Sequence, residues 1–134
     1  MLCRAICLLA LVLTLAACRP PPDGAGAAAR LPPGVTVEIA LEGEPRVATV
    51  PVLVTITRDG VPLAGATVTV TGDMTHAGMI PVVAAATEFT PGRYRADAFA
   101  FDMAGDWFIT AEVRLPTGER AVAVKTVRVE RAAP

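Results

Sequence analysis

Serine is absent from this chain of 134 residues, and histidine, tryptophan and tyrosine occur once each. With no serine hydroxyl and a single imidazole, no serine-nucleophile triad can be assembled. Cysteine occurs only at positions 3, 7 and 18. A domain built from the rest therefore has no thiol, which excludes a disulfide framework, cysteine nucleophiles, cysteine-ligated zinc and iron–sulfur clusters. There is no phosphate-binding glycine loop and no lysine/arginine block, and the net charge is −1. Neither nucleic acid nor an anionic surface is called for by such a balance. Aromatic residues make up only 4% of the chain, so valine, leucine, isoleucine and alanine must supply most of the core. No ten-residue window carries an apolar stripe at helical spacing. These absences leave a binding or accessory module rather than an enzyme.

What is present begins with an export signal. Arg4 precedes an apolar run from Ala5 to Ala17, which is shorter than the roughly 20 residues a membrane-spanning helix needs. Its length is that of a signal-peptide core followed by small residues. Leu15-Ala16-Ala17-Cys18 resembles the bacterial lipobox, in which the cysteine is lipidated and becomes the mature N-terminus. Residues 1–17 thus read as a lipoprotein signal peptide, with cleavage near Ala17 to release a free secreted protein as the alternative. Residues 18–33 read as the lipidated Cys18 and a tether rich in proline, glycine and alanine, with no core of its own. The expected location is the non-cytoplasmic side of a membrane, periplasm or cell surface, reached through the lipid anchor.

Residues 34–130 read as one folded domain and 131–134 as a tail. Val35, Val37, Ile39 and Leu41 alternate with polar or small residues, the period of a half-buried strand. Further extended segments run from Val50 to Thr57, Ala66 to Thr71, Val82 to Thr90, Arg93 to Phe101, Trp107 to Leu115 and Arg120 to Val129. Val82 to Thr90 contains three consecutive alanines that would also suit a helix. In Arg93–Phe101 the alternation sets Tyr94, Ala96, Ala98 and Ala100 against Arg95, Asp97, Phe99 and Phe101. About seven short strands with turn residues between them predict an all-β protein, an immunoglobulin-like antiparallel β-sandwich. Gly92-Arg93-Tyr94 resembles the turn of an immunoglobulin tyrosine corner, and Trp107 opens the most regular strand; both are read as structural residues.

The stretch from Asp73 to Phe108 holds the single His, Trp and Tyr, all four Phe, and every methionine but the first, within 36 residues. Met74, His76 and Met79 are spaced M-x-H-x-x-M, and Met103 stands beside the turn at Ala104-Gly105. Thioether sulfur is a soft ligand that favours Cu(I) over zinc or iron, so Met74, His76, Met79 and Met103 are the candidate metal ligands. Methionine is also a filler of irregular cores, which leaves a core role open for the same residues. Asp73, Asp102 and Asp106 flank these turns without the alternating-acid spacing of a calcium loop; turn and capping roles suit them better.

The order of Asp59-Gly60-Val61-Pro62, Gly65-Ala66-Thr67-Val68, Met74 to Met79, Pro91-Gly92-Arg93-Tyr94 and Met103-Ala104-Gly105-Asp106-Trp107 resembles the YtkA-like domains, related to FixH-type proteins. The resemblance covers about Val35 to Val129. It implies a small exported or membrane-tethered β-sandwich associated with copper handling or haem–copper oxidase assembly, with a copper protein as partner. It also implies that Met74, His76, Met79 and Met103 fall in the family's methionine/histidine signature. The alternative function is a metal-free structural or protein-interaction module of the bacterial envelope.

The lipobox reading yields the first prediction. Expressed in a bacterium, the chain should fractionate with membranes, and Cys18→Ser should abolish lipidation and release it. Fractionation with radiolabelled-lipid incorporation checks this; equal solubility of both forms would refute the anchor.

Overall fold

A computed structural model describes residues 29–75 and 78–131. The signal segment, Cys18, most of the tether, His76 and the last three residues lie outside the described residues. Eight strands occur, in the order β1 (Val35–Leu41), β2 (Val52–Arg58), β3 (Val61–Pro62), β4 (Thr67–Met74), β5 (Val82–Thr90), β6 (Arg93–Ala96), β7 (Gly105–Arg114) and β8 (Arg120–Val129). Among the described residues there is no helix, so the alanine run of β5 is extended.

All strand pairings are antiparallel, and the strands run in the order β1-β2-β6-β5-β4-β7-β8, with the short β3 on β2. One sheet holds β4, β7, β8 and the first half of β5; the other holds β1, β2, β6 and the second half of β5. Strand β5 changes sheets midway. Val82 to Ala86 pair with β4, whereas Thr87 to Thr90 pair with β6 around a bulge at Phe89. On the opposite side the seam between β1 and β8 is closed by Arg30, which exchanges backbone bonds of 2.8 and 2.7 Å with Val122. Lys125 Nζ donates to the Ile39 carbonyl at 3.1 Å across the same seam, and Val47 and Glu130 bond further along. The expected immunoglobulin-like sandwich is therefore the observed architecture.

Sequence alternation decides which side chains enter the core. Val35, Val37 and Ile39 on β1, Val52, Val54 and Ile56 on β2, and Val68 and Val70 on β4 are buried. On β7, Trp107, Ile109, Ala111 and Val113 are buried, and Leu115 after it is too. The expected strand from Arg93 to Phe101 is corrected: it ends at Ala96, and a turn at Asp97-Ala98 follows. That turn shifts the phase by one residue, so Phe99 and Phe101 are buried on the same side as Tyr94. The energetic reason is direct: two phenylalanines facing water would forfeit roughly 1.5–3 kcal/mol each.

The aromatic core is concentrated at one end. Phe101 meets Trp107 edge-on at 5.1 Å between ring centroids, and Phe99 meets Phe101 at 5.2 Å in the same geometry. These edge-to-face pairs use the ring quadrupoles as well as burial. Gly72 faces this cluster from β4; a Cβ there would stand 2.4 Å from Phe99 Cζ and 3.2 Å from Trp107 Cε3. The strand must lack a side chain at this point for the rings to fit.

Trp107 is fully enclosed in a core with few large side chains. Trp107→Ala should therefore destabilise the fold by about 3–5 kcal/mol, as large-to-small core changes do. Urea unfolding followed by circular dichroism measures this; a loss under about 1 kcal/mol would contradict the packing described.

Candidate functional site

The strand register brings the methionine-bearing segments to one end of the sandwich. Met74 is the last residue of β4 and pairs directly with Trp107 of β7. The Trp107 indole Nε1–H donates to the Met103 carbonyl at 3.0 Å, which ties the segment before β7 to the same ring. Gly105 lies between them in sequence, and a Cβ on it would come within 2.6 Å of Met74 Cε. Met79 follows in the loop from β4 to β5 and packs, half-buried, against the core.

The three methionines are not equivalent. Met74 is 5% exposed and belongs to the core; it is inward because β4 extends three residues past Thr71, carrying Gly72 and Met74 into the interior alternation. Met79 retains partial access to solvent. Met103 is 45% exposed. His76, the one imidazole, lies outside the described residues. Among the described residues no three His, Cys, Asp or Glu side chains gather where an ion could sit, so an ion at this end would depend on thioether sulfur and His76. Two thioethers with solvent access, a buried third and a histidine between Met74 and Met79 in sequence suit a soft ion in chemistry. Asp106, on the rim, pairs with Arg128 at 2.9 Å, and that pairing raises the Arg128 pKa further.

A second polar arrangement, which sequence reasoning missed, lies away from the methionines. The Tyr94 hydroxyl donates to the Leu63 carbonyl at 3.0 Å and accepts from the Ala66 N–H at 2.9 Å. A tyrosine corner bonds a few residues upstream; here the ring reaches the loop joining β3 to β4, so the resemblance to that motif extends to the turn and not to the bond. Glu88 Oε1 accepts from Gly92 N–H at 3.0 Å, and Oε2 from Gly65 N–H at 3.2 Å. Gly92 has φ +75°, and a Cβ on it would meet the Ile56 carbonyl at 2.8 Å and Leu63 N at 2.9 Å. Glu88 and Tyr94 together clamp the β3–β4 loop onto the β5–β6 turn. The Gly92 N–H, ahead of that of Gly65, holds the Glu88 carboxyl below its ordinary value; burial pushes the Tyr94 hydroxyl up. The Glu88 role left no trace in the sequence because its partners are backbone amides 4 and 23 residues away. The arrangement holds the β3–β4 loop in place.

At the end of the sandwich away from the methionines, an open cleft of about 520 Å³ lies between Arg58, Val61, Leu63 and Pro116. Its lining is mostly apolar, and the nearby Arg58 is engaged by Glu119.

A model of the YtkA-like family matches residues 32–112. No curated protein matches the chain. A solved structure of murine CRIg aligns with 73% of this chain and 99% of its own at 11% identity, with a TM-score of 0.42. That likeness is too slight to bear on function, and the fold stands on the strand pairing itself.

The clamp gives a prediction with a sign. Because the folded Glu88 carboxyl titrates below its ordinary value, its contribution is present above that value and lost as pH falls through the folded one. Glu88→Gln should flatten the acid limb of the stability curve and leave neutral-pH spectra native. Tyr94→Phe, which leaves the Leu63 and Ala66 backbone groups without a partner, should lose about 1–3 kcal/mol at neutral pH. Urea midpoints measured from acid to neutral pH check both; an unchanged acid limb in Glu88→Gln would refute the clamp.

Proposed function

This chain belongs to the YtkA-like family, and from that premise we propose that it binds or delivers copper outside the cytoplasm. The cargo is Cu(I), taken by His76 and the thioethers of Met74, Met79 and Met103. The observation that carries this reading is the double tie to Trp107: Met74 pairs with it across the sheet, and Met103 is bonded to its indole. Two segments far apart in sequence thereby offer sulfur at the end of the sandwich where the loop containing His76 begins.

The chemistry follows from the donors. A thioether is neutral at every pH and polarisable, so it suits a soft monovalent ion and binds hard divalent ions poorly. Met79 and Met103 have solvent access and would be the ligands exchanged with a copper-protein partner. Met74 is buried, with Gly105 leaving room for its methyl group. Nothing in this arrangement activates a substrate, and the domain acts by binding rather than by catalysis. In the bacterial envelope, anchored through Cys18, such a module would hand copper to a recipient; assembly of a haem–copper oxidase is the narrower form of the proposal.

A second reading rests on a different observation. Ile80 is 84% exposed, Val83 64% and Phe89 51%, which puts large apolar side chains in and near β5 in water. A metal-free structural or protein-interaction module of the envelope would use them.

Anaerobic Cu(I) competition on the full chain in mild detergent, against a chelator of known affinity, separates the two. His76→Ala and Met79→Ala should each weaken binding about tenfold or more, roughly 1.4 kcal/mol, with unchanged circular dichroism. Met74→Leu keeps volume and packing and so isolates the sulfur. Stoichiometric binding that survives all three substitutions would move the site elsewhere, and no binding at all would leave the metal-free module.

A further inference from the structure

We propose that the sulfur of Met103, and after it that of Met79, is a site of reversible oxidation to the sulfoxide by a peroxide. The fold tolerates this modification, and the Cu(I) site proposed above is disabled by it. That last consequence rests on the copper reading; the oxidation does not depend on it.

The three sulfurs differ in what surrounds them. Met103 is 45% exposed in the segment before β7. Met79 is half-buried in the loop from β4 to β5. Met74 is 5% exposed, and its methyl carbon packs so near Gly105 that a Cβ there would stand 2.6 Å from it. A thioether is oxidised through its lone pair, so access to a dissolved oxidant sets the order Met103, Met79, Met74. An oxygen on the Met74 sulfur would also be a strong acceptor set in an apolar core opposite Trp107, and burying such a group unpaired is unfavourable. Cysteine occurs only at positions 3, 7 and 18, so within the folded domain these methionines are the sulfur that a peroxide meets.

The fold uses Met103 through a different atom. The Trp107 indole N–H donates to the Met103 carbonyl at 3.0 Å, so the tie between this segment and the core is made by backbone. Oxygen added to the side-chain sulfur leaves that bond in place, together with the edge-on packing of Phe101 on Trp107. With nearly half of Met103 in water, the new oxygen is solvated.

The step balances with hydrogen peroxide alone. The thioether lone pair attacks one peroxide oxygen, and the S–O bond forms as the O–O bond breaks. The proton on the transferred oxygen passes to the departing hydroxide, which leaves as water. Sulfur loses two electrons and the peroxide gains them. Repair takes two thiols, which become a disulfide as the sulfoxide oxygen leaves as water. The oxidised side chain offers a hard oxygen and a sulfur with one lone pair committed, whereas Cu(I) favours the soft thioether.

Hydrogen peroxide treatment of the copper-free full chain in mild detergent tests the proposal. Cys3→Ser, Cys7→Ser and Cys18→Ser are introduced first, so that methionine is the only sulfur present. Peptide mass mapping over time should show Met103 oxidised at least about ten times faster than Met74, with Met79 between them. When Met103 is fully converted, circular dichroism and the emission of the enclosed Trp107 should match the untreated chain. Cu(I) affinity, read by anaerobic chelator competition once the peroxide is removed, should fall about tenfold or more. A pair of methionine sulfoxide reductases, one for each sulfoxide epimer, should restore it with a dithiol. Oxidation of Met74 as fast as Met103, or unfolding in step with Met103 conversion, would overturn the proposal. An oxidised chain that binds Cu(I) as tightly as the untreated one would overturn it too. If the untreated chain itself binds no Cu(I), the copper reading falls, and the order of oxidation with the retained fold decides the rest.

Discussion

The packing of Phe99, Phe101 and Trp107 over the bare backbone of Gly72 is the contact on which the methionine-bearing end depends. With so few aromatic residues in the chain, three rings in one place give that end most of its large apolar surface. The cluster fits only because β4 has no side chain at Gly72. Once Trp107 is seated there, its cross-strand pairing fixes Met74 and its indole N–H fixes the backbone of Met103. Met74 and the backbone of Met103 are thus placed by hydrophobic packing and one hydrogen bond. A buried tryptophan whose N–H must find an acceptor becomes the means by which a loop is held.

The two ends of the sandwich solve different problems. At the methionine end, soft and flexible side chains surround a rigid ring cluster, and solvent reaches Met79 and Met103. Along the β5–β6 side, Glu88 and Tyr94 bind backbone groups of Gly65, Gly92, Leu63 and Ala66. That clamp keeps the β3–β4 loop pinned where the chain passes from one sheet to the other. Rigidity in one region and access in the other are both obtained from a chain with no disulfide in the domain.

How much of this was legible in the sequence depended on where the alternation was clean. In β1, β2 and β7 the period of two carried both the strand and its buried face, because apolar and polar residues differ strongly there. In Arg93–Phe101 the run Ala96-Asp97-Ala98 is too small and mixed to mark a turn, and the alternation was carried past it to Phe101, one residue out of phase. The rings at Phe99 and Phe101 override it, since their burial outweighs a weak local pattern. The three consecutive alanines of β5 would also suit a helix; pairing to two different sheets, which no local pattern encodes, makes the segment a strand. The clustering of methionines was visible in sequence, while the inward turn of Met74 was hidden by Gly72, an interior position with no hydrophobic signal.

The shared strand β5 has a consequence for how this domain comes apart and assembles. Each sheet takes half of β5 as an edge strand, so neither can lose its ladder without pulling the same segment from the other. The closed seam of β1 and β8 blocks separation on the far side. The two sheets therefore form one cooperative unit, and a state with one sheet intact and the other melted has no stable boundary to occupy. Amide protons in both sheets should then exchange through the same global opening. Assembly is bound by the same logic. Because β2 pairs with β6 and β4 with β7, strands that are distant in sequence, much of the loop-closure entropy is lost before either sheet is rewarded, which places the domain among slowly nucleating, non-local β folds.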